Sequence, residues 1–135
     1  MDYRRLARLA RQASKHSFSP YSRFRVGAAL LTRSGKVYTG CNIENSSYGL
    51  TICAERTALF KAVSEGEKQF VAIAVASDQD DFTPPCGACR QVMMDLAGDI
   101  DVILGGKKGA FKVTTMDQLF PHPFGAANLS KRRTR

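Results

Sequence analysis

No stretch of this sequence is apolar and long enough to span a bilayer. Its opening, MDYRRLARLARQASKH, alternates charge with small apolar residues and lacks the continuous apolar core of a secretory leader. Internal repeats and low-complexity linkers are absent too. What remains is one soluble domain covering residues 1–135, long enough to bury an independent core without disulfide staples and expected in the cytoplasm. Cysteine is scarce, with 4 in the chain. In a reducing compartment those few thiols point to metal binding or catalysis rather than to disulfides.

Acidic residues are also in short supply: 12 Asp and Glu stand against 20 Lys and Arg, a formal net charge of +8. Such a balance raises nucleic acid as a partner, so the distribution of the charge decides. Arg4, Arg8, Arg11 and Lys15 recur at helical spacing, opposite Tyr3, Leu6, Ala10 and Ala13. Lys131, Arg132, Arg133 and Arg135 fall in a basic tail, about residues 130–135, expected to be mobile. A solvated helix face and a tail thus hold eight of the twenty basic residues. Aromatic residues do not interleave with them as a base-stacking platform requires, so nucleic acid is not the expected partner.

The periodicity predicts a helix over residues 2–16, stopped by the FSPYS turn. Residues 24–32 read as a strand with Phe24, Val26, Ala28 and Leu30 on one face, and 36–41 as its return after an Arg33-Ser34-Gly35 turn. The polar segment NIENSSYGLTI reads as a loop. From Cys53 the pattern becomes helical and ends at Gly66, and 70–77 is an apolar run suited to a buried strand. A second helix starts near Cys86, with short strands expected at 101–104 and 110–113. Thr115 is placed to cap a short last helix, TMDQLF, before PHPF breaks it. Strand–helix–strand units of this length argue for a parallel portion with right-handed crossovers, and the first hairpin adds an antiparallel edge. The fold class is α/β: a three-layer α/β/α sandwich around a mixed sheet of about five strands.

Two features carry chemistry. Cys53-Ala54-Glu55 opens one helix and Pro85-Cys86-Gly87-Ala88-Cys89 opens another, with a strand between them. A lone CxxC could be a redox pair or half of a structural zinc site. Two helix N-termini joined by a parallel crossover lie at the same sheet edge, however, so the three sulfurs can converge. Helix N-termini also stabilise thiolate, the form zinc binds. Three protein ligands leave a fourth position open, the usual mark of a catalytic zinc. Glu55 lies two residues after a ligand, near enough to a bound water to do general acid–base work without touching the metal. Three thiolates on a dication leave an excess negative charge, which the Arg56 guanidinium is placed to offset.

CAE at 53–55 followed by PCGACRQ at 85–91 resembles the zinc-dependent cytidine deaminases. PYSRFRVGAAL at 20–30, GCNIEN at 40–45 and LFPHPF at 119–124 resemble further segments of that family, in the same order. The similarity spans about residues 6–129 and follows the short, homotetrameric form, whose three-cysteine ligand set contrasts with the histidine and two cysteines of the longer form. The resemblance implies hydrolysis of cytidine and 2′-deoxycytidine to uridine and 2′-deoxyuridine with release of ammonia. It implies one zinc per subunit on Cys53, Cys86 and Cys89, with Glu55 moving the protons. It further implies that Phe24 lies against the pyrimidine, that Asn42 and Glu44 hydrogen-bond the ribose 3′-hydroxyl, and that backbone groups of Ala54 and Cys86 meet the base edge. Phe124 would enter the site from a neighbouring subunit, Tyr48 would lie near the subunit contact, and Gln91 would support the metal site. Cys41 is read as a small buried hydrophobe and not as a ligand.

A sugar hydroxyl suits a carboxylate partner, whereas Glu44 would repel a phosphate, so free nucleosides are expected over nucleotides. Three rivals remain at this stage. A blasticidin S deaminase would share the cysteine motifs, but the FRVGAAL and NIEN segments serve a nucleoside's base and ribose. A structural zinc module would close its fourth position with Cys41, His16 or His122. A CxxC oxidoreductase would hold no stoichiometric metal.

Overall fold

The computed structural model describes residues 1–133, with the side chains of residues 1–130. Helix α1, Tyr3–Ala13, begins on Asp2, whose carboxylate accepts the Arg5 N–H at 2.8 Å, and a 3₁₀ turn carries the chain on to His16. There follow strands β1, Val26–Thr32, and β2, Val37–Cys41; helix α2, Ala54–Ser64; strand β3, Phe70–Ser77; and helix α3, Gly87–Ala97. Strands β4, Asp101–Gly105, and β5, Phe111–Thr115, lead into α4, Met116–Leu119, and α5, Ala126–Arg133. The Thr115 cap predicted for α4 is present as a reciprocal pair with Gln118. Among the described residues no helix is long and apolar enough to cross a membrane.

The sheet runs β2-β1-β3-β4-β5. Only β3 and β4 pair in parallel; β1 is antiparallel to both β2 and β3, and β5 is antiparallel to β4. Strands β2, β3 and β4 therefore share a direction, and α2 crosses over the interposed β1. The expected parallel portion is narrower in hydrogen bonding than the spacing suggested, yet its consequence holds. Helices α2 and α3 both start from the C-terminal edge of the sheet.

Every residue of β1 is buried, because both faces of the strand are covered. Val26, Ala28 and Leu30 pack with Ala58, Leu59, Cys89 and Met93 from α2 and α3. Ala29 and Leu31 pack with Leu6, Ala7 and Ala10 of α1. This is the expected α/β/α sandwich. Two glycines let the layers close. A Cβ on Gly27 would meet the Ala10 carbonyl oxygen at 2.0 Å, and one on Gly40 would meet the Ala58 nitrogen at 2.5 Å.

Two expectations need correction. The strand predicted from residue 24 begins at Val26, since Arg23 adopts φ +59° and turns the backbone, leaving Phe24 outside the ladder and 40% exposed. The basic tail placed at about 130–135 begins inside α5, which sequence periodicity did not reveal, and residues 134 and 135 lie outside the described residues.

Candidate metal centre

Cys53 is the N-cap of α2 and Cys86 the N-cap of α3, so both sulfurs sit where unpaired helix N–H groups gather. Cys89, one turn into α3, is fully buried. The three Sγ atoms lie within 4.8 Å of one another, with Cys53 and Cys86 3.7 Å apart. A tetrahedral zinc with Zn–S bonds of about 2.3 Å sets its sulfurs about 3.8 Å apart, so this donor set fits zinc in both chemistry and spacing. The Cys89 N–H donates to Cys86 Sγ at 3.5 Å, and Arg56 Nη2 donates to Cys53 Sγ at 3.4 Å. The Cys53 thiol is pulled down, first by its hydrogen bond with Cys89 and then by Arg56 and Cys86, against a burial that raises it. Cys89 moves the opposite way, raised by that same shared hydrogen bond and by burial. Among the protein groups alone, one thiolate is already favoured, and the cation beside it is Arg56.

Glu55 is 3% exposed, a buried carboxyl on the first turn of α2 beside the sulfurs. Burial pushes it up to about 7; Cys53 adds to the rise, while its own backbone N–H, Cys89 and Arg56 oppose it. A carboxyl poised there can both take and return a proton near neutrality.

The neighbouring loops are tied by two side chains that the sequence had marked. Asn42 Oδ1 accepts from Val26 N–H at 2.9 Å and from the Ser17 hydroxyl, while Nδ2 donates to the Phe24 carbonyl at 2.7 Å. These partners fix the amide orientation and leave one N–H without an acceptor among the described residues. The Glu44 carboxylate accepts the Tyr21 and Ser22 N–H groups at 2.9 and 3.1 Å and the Ser22 hydroxyl, which together hold it below the usual carboxylate range. Phe24, Asn42 and Glu44 thus form one hydrogen-bonded rim at the same sheet edge as the sulfurs. Ala54 is fully buried at the start of α2, and Cys41, expected to be buried, is only partly so.

Other predicted residues are placed elsewhere. Gln91 donates to the Phe124 carbonyl at 2.9 Å, so it braces the C-terminal segment where support of the sulfurs was expected. Position 91 lies two residues past Cys89, about 200° around the helix, which aims it away. Phe124, 59% exposed, lines a groove with Phe60, Val92, Leu96 and Leu129 on the outer side of α2 and α3. Arg90, which sequence reasoning passed over, grips the Pro85 carbonyl with Nε and the Leu119 carbonyl with Nη1, both at 2.8 Å. It fixes the backbone just before Cys86. Its spacing from Cys86, four residues, does not by itself announce those partners.

Comparison with known proteins follows the same lines. The pattern of the cytidine and deoxycytidylate deaminase zinc-binding region matches residues 1–105. The chain is 53% identical over 131 residues to a cytidine deaminase of Halalkalibacterium halodurans, covering 96% of this chain and 99% of that one. It is 47% identical to a cytidine deaminase of Sporosarcina psychrophila, with 96% of each chain covered. The crystal structure of cytidine deaminase from Burkholderia pseudomallei superposes with a TM-score of 0.87 at 46% identity, covering 92% of this chain and 100% of that one.

Proposed function

The chain belongs to the cytidine and deoxycytidylate deaminase family, and we propose that it hydrolyses cytidine and 2′-deoxycytidine to uridine and 2′-deoxyuridine with release of ammonia. The observation that carries this reading is a 3%-exposed carboxyl, Glu55, beside three sulfurs within 4.8 Å of one another. Cys53, Cys86 and Cys89 would hold one zinc, which supplies an acidified water at neutral pH. Glu55 accepts a proton from the attacking water and donates it to ring N3, which makes C4 electrophilic. The water oxygen bonds to C4; Glu55 then takes the remaining proton from that oxygen and passes it to the exocyclic nitrogen, so that the C4–N bond breaks, ammonia leaves and the C4 carbonyl of uridine forms. Arg56, 3.4 Å from Cys53 Sγ, offsets the excess negative charge of three thiolates.

Phe24 lies against the pyrimidine ring, and the backbone of Ala54 meets its polar edge. The second N–H of Asn42 and the remaining acceptor capacity of Glu44 take the ribose 3′-hydroxyl. Because these groups address the 3′ position, ribose and deoxyribose both fit. Gln91 holds Phe124 in place for a neighbouring subunit. Phe18, Tyr21, Ile43, Tyr48 and Leu50, exposed on the loops before β1 and after β2, support an assembly, which we read as a homotetramer with shared active sites. The setting is the cytoplasm and the process the salvage of pyrimidine nucleosides.

Protein of known zinc content, incubated with cytidine, deoxycytidine, CMP and blasticidin S, is expected to release ammonia rapidly from the two nucleosides alone. Equal turnover of CMP would sink the assignment of Glu44, and preference for blasticidin S would sink the substrate class.

A further inference from the structure

On the face of the sheet opposite the sulfurs, α1 and the β4–β5 connection border a half-open hollow of about 330 Å³. Its walls are Arg4, Arg8 and Arg11 of α1 and Lys108 of the connection, over a floor that includes Ala76 and Gly105. Four cations share a small concavity, and little on the protein answers them. Asp80 is the one carboxylate within ion-pair distance, 4.0 Å from Arg11 and itself 72% exposed, among the described residues. Arg4 and Arg11 are braced at the two ends, Arg4 by the Gly109 carbonyl at 3.4 Å and the Phe111 ring at 5.3 Å, Arg11 by the Gly106 carbonyl at 2.7 Å. Arg8, between them, has no hydrogen bond or ion pair among the described residues. Like charges one turn apart on a helix repel, and α1 carries no acidic residue in its first turn to relieve them.

We propose that this hollow is a binding site for linked phosphates, the di- or triphosphate chain of a nucleotide or of inorganic polyphosphate. The span from Arg4 to Arg11 is two helical turns, about 10 Å, which suits a phosphate chain better than a single phosphate. Arginine donors match phosphate oxygens bidentately, and two of the three are already held by backbone carbonyls, which lowers the entropy lost on binding. The row of arginines on α1 is only two turns long and faces Lys108 across a hollow bounded by the 105–110 connection, which disfavours an extended nucleic-acid strand. The inference does not depend on the reading of the zinc site, since the two lie on opposite faces of the sheet.

The test is calorimetric titration of the whole protein, in low salt, with sodium tripolyphosphate, CTP, orthophosphate and a single-stranded RNA oligonucleotide. Saturable binding of one tripolyphosphate per chain is expected, weakening as salt rises and at least about tenfold tighter than orthophosphate. Arg8→Glu, at an exposed residue without a partner, is expected to weaken it at least about tenfold while cytidine turnover and melting temperature stay at wild-type values. Lys108→Asn, which tolerates that residue's φ of +53°, should weaken it in the same direction. CTP binding as tightly as tripolyphosphate would place the ligand's contacts in the phosphates; tighter binding of CTP would add a nucleotide. No saturable binding, an unchanged affinity in both variants, or an RNA affinity above that of tripolyphosphate and growing with length would each overturn the proposal.

Discussion

The two layers that cover the sheet are attached by different means. Helix α1 lies on a floor of alanines, Ala29, Ala72, Ala74 and Ala76, and is pinned by polar contacts near its ends, Tyr3 to Asp101 and Arg11 to the Gly106 carbonyl. Helices α2 and α3 lie on a floor of larger side chains, Leu30, Ile73, Val75 and Val102, and place at their N-termini the groups that would do chemistry. Each layer depends on one glycine for close approach, Gly27 under α1 and Gly40 under α2. The difference teaches that burial here has two uses. On the α1 side it stabilises; on the α2–α3 side it also perturbs, since the burial that holds α2 in place is what raises Glu55.

The largest effect should come from the perturbed group itself. Glu55→Gln keeps the shape of the side chain and removes its proton chemistry. Ammonia release from cytidine should fall about 10²–10⁴-fold, with zinc content and melting temperature retained. A variant that kept its turnover would take Glu55 out of the mechanism and dissolve the distinction between the layers.

The glycines sharpen the comparison next. A methyl at Gly40 collides with the Ala58 nitrogen and the Ala54 carbonyl, at 2.5 and 2.8 Å, and must lift the first turns of α2. A methyl at Gly27 collides with the Ala10 carbonyl and the Ser14 nitrogen, at 2.0 and 2.4 Å, and must lift the end of α1. Each alanine variant should cost about 3 kcal/mol of stability, read by chemical denaturation. Only Gly40→Ala should also lower cytidine turnover per folded molecule, because Ala54, Glu55 and Arg56 move with the helix. Equal loss of turnover in both variants would mean that the two layers are mechanically coupled through the sheet.

Much of this was legible in sequence wherever a local rule had one outcome. The apolar run at 70–77, the Gly66 stop and the Thr115 cap came from local chemistry, and the structure has all three as read. The convergence of the cysteines was legible too, since two crossovers of one sense put helix N-termini at one edge. What could not be read depended on partners distant in the chain. Asn42 ties three segments together through a single amide, and nothing in NIEN announces Ser17 or Val26 as its partners. Arg90 was hidden because arginine four residues after a cysteine carries no signal until Pro85 and Leu119 are in place. The hollow beside α1 was visible only as a charged helix face; its other wall, Lys108, comes from a hundred residues away.

The smallest effect tests the polar attachment of α1. The Tyr3 hydroxyl donates to Asp101 at 2.6 Å, and this bond, with burial and the carboxylate charge, raises the phenol from 10.0 to about 12. A phenol whose pKa is raised by folding contributes stability that is fully present below the unfolded value and lost as pH rises from about 10 to 12. Tyr3→Phe should therefore cost about 1 kcal/mol near neutral pH, the net worth of one hydrogen bond to a partly exposed charge. The gap between wild type and variant should narrow above about pH 10, where unfolding begins to release the proton. Turnover of cytidine should not change, because Tyr3 holds α1 to β4 on the face away from the sulfurs. A gap that stayed constant through that range would mean that packing of the ring, and not the hydroxyl, is what fastens α1, and the contrast drawn between the two layers would lose its polar half.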